Sequence, residues 1–165
     1  MRRVGHKGAD LITPGNTHAS FDAALAAGVD MIEFDVLPEE PDDSRAARRG
    51  ETGRRAGRGR EASELVLAHD YFDAADRTPH TLEEGLAHLA GAAFSGIEID
   101  VDLKLPGYEL RVVEALRAHG LLERALISSQ YRSSLALIRD AEPRVRLGWS
   151  VPKLRRDPFR SRVLG

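Results

Sequence analysis

The chain has 165 residues, a formal net charge of −2 and no cysteine, which is length enough for one domain with an apolar core. The near-neutral charge gives no reason to expect nucleic acid or an anionic membrane as a partner. The missing thiols exclude disulfides and thiolate metal sites. No apolar run reaches the roughly 18–20 residues that span a bilayer. Met1-Arg2-Arg3-Val4-Gly5-His6 has basic residues with no apolar stretch behind them, so no secretory leader is expected and the cytoplasm is the default location.

Short apolar runs alternate with helical patterns along the chain, the order expected of repeated β-α units on a parallel sheet. Arg3 to His6 is the first predicted strand. Thr13-Pro14-Gly15 makes a turn, and Asn16 or Thr17 caps a helix running to about Ala27, which Gly28 ends. Met31 to Leu37 is the second strand and Leu65 to Ala68 the third. Thr81 caps a helix over Leu82 to Leu89, with Glu83 and Glu84 in its first turn, where the helix dipole favours them. Gly96 to Leu103, Ala125 to Ser128 and Val145 to Trp149 complete six strands, with helices over Glu109 to His119 and Ser133 to Ala141 between them. The expected fold is α/β, a TIM (β/α)8-type barrel carried only to about six β-α units, since the usual closure takes eight strands.

Residues 38–64 break the pattern. The segment begins acidic, then from Arg45 to Arg60 carries seven arginines against one glutamate, interrupted by glycines and with no large apolar side chain. Such a stretch buries too little to offset its ordering entropy and reads as a disordered insertion in a single domain spanning 1–165. A polyanion-binding arm is the functional alternative to a tolerated surface insertion. The stretch from Lys153 to Gly165 is also basic and has no strand-length apolar run; it reads as the start of a connection that goes nowhere, a truncated terminus, with a tail for anionic lipid headgroups or nucleic acid as the alternative.

The chemistry concentrates at strand ends. In Ile32-Glu33-Phe34-Asp35-Val36 the strand period puts Glu33 and Asp35 on one face and the apolar residues on the other. With the apolar set against helices, two carboxylates point into the barrel, where they repel unless a hard divalent cation, Mg²⁺ or Ca²⁺, joins them. An ordinary polar face on a half-buried strand is the alternative. The fourth strand places Glu98, Asp100, Asp102 and Lys104 on one face and Ile97, Ile99, Val101 and Leu103 on the other. Parallel strands are covered on both faces, and barrel sites sit at the C-terminal strand ends. That rule selects Asp102 as third metal ligand and Lys104 as a phosphate contact, with Asp100 as the fallback ligand. His6, followed by Lys7-Gly8, and His69, followed by Asp70, close the first and third strands. Imidazoles there suit proton transfer in either direction, although a lone histidine is as readily structural.

These motifs, in this order, resemble the glycerophosphodiester phosphodiesterases. Gly5-His6-Lys7-Gly8 is similar to that family's His-Arg-Gly opening, Pro14-Gly15-Asn16-Thr17 to its Pro-Glu-Asn-Thr turn, and Glu33-Phe34-Asp35 to its Glu-Leu-Asp metal motif. His69-Asp70 resembles its His-Asp pair, Asp102-Leu103-Lys104 its Glu-Leu-Lys motif, and Ser128-Ser129 falls near its serine-containing fifth strand. The resemblance implies a TIM barrel, a divalent cation held by Glu33, Asp35 and Asp102, and His6 and His69 as general acid and base. It also implies Lys7 and Lys104 as an anion clamp and a small-molecule glycerophosphodiester cleaved to glycerol 3-phosphate and an alcohol. Three positions depart from the pattern: Lys7 stands for arginine, Gly15 for glutamate and Asp102 for glutamate. The related spider-toxin type phospholipases D share the scaffold, which keeps lysophospholipids open as substrates. The other readings are a non-catalytic remnant of the family and an arginine-rich polyanion-binding module.

Overall fold

The computed structural model describes residues 1–40 and 63–151, so the arginine-rich run and the basic C-terminal stretch lie outside the described residues. Strands are β1 (Val4–Gly5), β2 (Met31–Pro38), β3 (Leu65–Leu67), β4 (Glu98–Leu103), β5 (Ala125–Ser129) and β6 (Arg146–Trp149). Helices are α1 (His18–Ala26), α2 (Tyr71–Asp76), α3 (Leu82–Leu89), α4 (Glu109–Ala118) and α5 (Arg132–Ala141). Strands β1, β2, β4, β5 and β6 pair in that order, all parallel. Chain order and spatial order therefore agree along the main path, as they do in a βα barrel.

The third strand is a correction. Leu65–Leu67 pairs antiparallel to the end of β2, with Val36 opposite Leu67 and Pro38 opposite Leu65, and does not form another parallel unit. Glu39 N–H donates to the Glu64 carbonyl at 2.7 Å just outside this pairing. The apolar run alone reads the same in either direction. Pro38 belongs to β2 and not to the insertion.

The strand alternation is realised as the residue types require. Ile32, Phe34 and Val36 of β2, Ile99, Val101 and Leu103 of β4 and Ile127 of β5 are fully or almost fully buried. They form one core with Phe21 and Ala24 of α1, Leu82, Leu86 and Leu89 of α3, Val112 and Leu116 of α4 and Ile138 of α5. Each such side chain contributes about 1.5–3 kcal/mol of burial. Thr17 caps α1 by accepting from Ser20 N–H at 3.1 Å, and Thr81 and Glu84 form a reciprocal capping box on α3. Of the two capping candidates for α1, Thr17 takes the role and Asn16 is left for another. The short helix α2, not anticipated from its composition, is capped by Asp70, whose carboxylate accepts from Phe72 and Asp73 N–H at 2.9 Å each.

One buried phenol ties the helical layer to the sheet. Tyr108, 3% exposed, donates from its hydroxyl to the Val36 carbonyl at 2.5 Å and accepts from Leu105 N–H at 3.2 Å. Burial pushes this phenol above its ordinary range, so it remains a neutral donor. Tyr108→Phe should cost about 1–2 kcal/mol of stability by urea unfolding, because the β2 carbonyl and the Leu105 amide both lose their partner.

Candidate active site at the strand ends

The acids of β2 and β4 meet through strand register. Asp35 pairs with Asp102 and Glu33 with Asp100, all on the face opposite the apolar core. Glu33, Asp35 and Asp102 each offer a carboxylate oxygen, and these oxygens lie within 4.8 Å of one another. Asp100 stays out of this group: Ser128 Oγ donates to its Oδ1 at 2.8 Å. Glu98, deepest on the strand, is held at the opposite end by Arg2 and by Arg146 at 2.8 Å. The rule that favours strand ends thus separates the structural acid from the clustered ones.

Asp35 is wholly buried and is fixed by a residue whose part was not legible in the sequence. Asn16, also 0% exposed, clasps it twice: Nδ2 donates to Asp35 Oδ2 at 3.0 Å, and Asp35 N–H donates to Asn16 Oδ1 at 3.0 Å. Asn16 has φ 58°, a left-handed conformation asparagine accepts more readily than most residues. Asn16→Ala should cost about 3 kcal/mol in urea unfolding, since it strands a buried N–H and removes a hydrogen bond to a buried carboxylate. Asp102 is positioned by Ser128 Oγ at 3.2 Å and Ser150 Oγ at 3.1 Å, both donating to Oδ1. The serine near the fifth strand was singled out; Ser150 was not, because only the order of β5 and β6 in the sheet brings it to Asp102.

The loop after β1 wraps this cluster. Lys7 has φ 50° and is held there from three sides. Its N–H donates to Glu33 Oε2 at 2.8 Å, and its carbonyl accepts from Asn16 N–H at 3.0 Å and Ser20 Oγ at 2.9 Å. Gly8 follows with φ 80°, and a Cβ there would sit 2.5 Å from Ser20 Oγ, so only glycine lets the loop lie on α1. A strained non-glycine residue held this firmly is characteristic of functional loops. Lys7 Nζ ends 3.9 Å from Asp35 Oδ2.

Charge in the cluster is unevenly shared. Burial, and then the Asp35 carboxylate, push Glu33 up to about 8. Burial also raises Asp35, but the Asn16 amide and the Lys104 ammonium outweigh it and hold that carboxyl below its usual value. Asp100 is pushed up to about 6 by burial, against the Ser128 hydrogen bond. Burial lowers Lys104, yet its contacts with Asp102 and Asp35 leave it above its ordinary value. Lys104 Nζ lies 2.6 Å from Asp35 Oδ1 and 2.6 Å from Asp102 Oδ2.

The donor set fits a hard divalent cation. It is all carboxylate oxygen gathered within 4.8 Å, and burial, then the neighbouring Asp35 carboxylate, hold Glu33 above its ordinary value, a penalty that a cation would relieve. An oxygen-only cluster of this kind suits Mg²⁺ or Ca²⁺.

The histidines divide. His69 Nδ1 lies 3.2 Å from Asp35 Oδ2, which ties its ring to the cluster. His6, in the turn after β1, pairs through Nδ1 with Asp10 Oδ2 at 2.9 Å, and 65% of its side chain is exposed. It stands at the rim with no contact to the three acids. Asp10 in turn lines a hollow with Lys7, His69 and Asp73. A second pocket, of about 390 Å³, opens beside Asp102 and Lys104, with His69 on one side and Leu37, Tyr71, Leu105 and Val151 as its less polar walls. His18, His80 and His88 stack on one another away from the cluster, and His119 pairs with Glu83.

No family model matches the sequence, and no curated protein matches it. Solved structures do. A glycerophosphodiester phosphodiesterase from Agrobacterium tumefaciens superposes with a TM-score of 0.64 at 21% identity, over 89% of this chain and 66% of that one. One from Parabacteroides distasonis gives 0.64 at 17% identity, over 90% of this chain and 64% of that one. A phosphodiesterase from Oleispira antarctica, in complex with the product sn-glycerol-3-phosphate, gives 0.62 at 19% identity, over 98% and 70%. The fold is the one these phosphodiesterases have, and the chain spans about two thirds of their length.

Proposed function

We propose that this chain belongs to the glycerophosphodiester phosphodiesterases and hydrolyses glycerophosphodiesters to glycerol 3-phosphate and an alcohol. The observation that carries the reading is the meeting of Glu33, Asp35 and Asp102 within 4.8 Å at the strand ends, with His69 tied to Asp35, on a scaffold shared with enzymes of that activity. Glu33, Asp35 and Asp102 would hold a divalent cation, Mg²⁺ or Ca²⁺, and the chemistry it would supply is neutralisation of charge on the phosphoryl oxygens and orientation of the diester.

The chain's own groups supply the rest. His69, its Nδ1 side anchored by Asp35, presents the other ring nitrogen for proton transfer, and His6 at the rim serves as its counterpart. One takes the proton from the attacking water, or from the neighbouring glycerol hydroxyl, and the other gives a proton to the departing alcohol; where the hydroxyl attacks, water then opens the cyclic phosphate to glycerol 3-phosphate. Lys7 and Lys104 bring positive charge to the phosphate, and Lys7 does so as a point charge without the two-pronged geometry of an arginine. The apolar walls of the pocket beside Lys104 favour a second reading, in which the diester is a lysophospholipid with an acyl chain along Leu37 and Val151.

The test is incubation of purified chain with glycerophosphocholine, and separately with lysophosphatidylcholine, in Mg²⁺ or Ca²⁺. Release of glycerol 3-phosphate from the first, or of lysophosphatidate from the second, and its loss in His69→Ala, is the expected result. A folded sample that cleaves neither diester with any divalent ion ends the proposal.

A further inference from the structure

We propose that Lys104 is a built-in counter-ion that competes with the divalent cation for Asp35 and Asp102, and that cation binding drives its ammonium out of the cluster. The inference rests on the reading of these acids as a cation site, and concerns what that site must displace.

The argument follows from which oxygens are already engaged. Asp35 Oδ2 accepts from Asn16 and faces His69. Asp102 Oδ1 accepts from Ser128 and Ser150. Each carboxylate therefore has one oxygen committed to its supporting shell and one turned inward. The inward pair is Asp35 Oδ1 and Asp102 Oδ2, and Lys104 Nζ lies 2.6 Å from both. A divalent cation drawing on Asp35 and Asp102 meets the ammonium at those two oxygens, because the other two already accept from donors that fix the side chains.

An ammonium and a divalent cation cannot share the two contacts without strong repulsion at this range. Lys104 follows the last residue of β4, so its long flexible side chain can swing while the backbone stays in place. It also lines the 390 Å³ pocket that opens beside Asp102. The ammonium pushed off the carboxylates has that pocket to enter, where an anionic substrate group would meet it. Lys104 on this account keeps the acids in register before the cation arrives, and turns toward the phosphate once it has.

Two measurements test this, neither of them activity. The first is calorimetric titration of Ca²⁺ and Mg²⁺ into wild type, Lys104→Met and Lys7→Met. Removing the competitor should tighten binding about tenfold or more in Lys104→Met. Lys7→Met, whose Nζ is 3.9 Å from Asp35, should change it less, which separates displacement from loss of charge in general. The second keeps the wild-type chain: reductive methylation of Lys104, followed by mass spectrometry, should be slow in EDTA and faster in saturating Ca²⁺. Equal or weaker cation binding in Lys104→Met overturns the proposal and leaves the cation site standing, as does methylation that ignores a bound cation. Absence of cation binding in all three proteins overturns both.

Discussion

Asp35→Asn should lower glycerol 3-phosphate release from glycerophosphocholine by about 1000-fold, equivalent to about 4 kcal/mol of transition-state stabilisation, in a chain that still folds. Asparagine keeps an oxygen able to accept from Asn16 Nδ2, so the clasp that now spans Asn16 and Asp35 at 3.0 Å in both directions can persist. What is lost is the charge. Asp35 is the buried member of the cluster, is held ionised by Asn16 and Lys104, and is the one acid that also touches His69. A single substitution therefore weakens the proposed cation site and leaves His69 facing a neutral oxygen in place of a carboxylate. Rates with and without Ca²⁺, beside circular dichroism of both proteins, check it. Unchanged release from the variant would mean that the reaction does not run through this cluster.

The pH dependence of stability should carry the mark of Glu33. In EDTA, the stability of wild type relative to Glu33→Gln should fall as pH rises from about 4.5 to about 8, by on the order of 3 kcal/mol. The sign follows from the proton. Glu33 has its folded value pushed up to about 8 from 4.5, by burial first and by Asp35 second. Below the lower value it is protonated in both folded and unfolded chains and costs nothing. Between the two values the unfolded chain has released the proton and the folded chain has kept it. Above the upper one the folded chain bears the whole penalty of a buried carboxylate beside another. Asp100, up to about 6 through burial, contributes in the same sense over a lower window and is present in both proteins, and its charge with that of Asp35 is part of the penalty read at Glu33. Saturating Ca²⁺ should shrink the slope in wild type alone, because the cation favours the ionised form. Urea unfolding at pH 5, 7 and 9 reads the result, and a difference that does not vary with pH would show Glu33 titrating as an ordinary glutamate.

Much of the site could be seen in the order of residues, because a strand allows only two directions for a side chain. Once Ile32, Phe34 and Val36 are assigned to a core, Glu33 and Asp35 must face away from it, and the same holds for Asp100 and Asp102 on β4. The limits were set where one strand's partner matters. Leu65–Leu67 reads as an apolar strand whichever way it runs, and only pairing with β2 makes it antiparallel. Asp70, next to His69, looked like half of a motif and proves to be the cap of α2. Asn16 looked like a capping residue and proves to be the clasp on Asp35.

Local features were legible in the residues alone: the positions of the strands and of the longer helices, which face each acid takes, and the cap at Thr81, all set by periodicity and by side chains that reach their own backbone. The tertiary structure decided everything that depends on neighbours distant in the chain. It gave Asp35 to Asn16 and His69, brought Ser150 to Asp102, and placed the Lys104 ammonium between two carboxylates. It also set the charge on each acid, since burial and partners move a proton's affinity by amounts that residue type cannot encode.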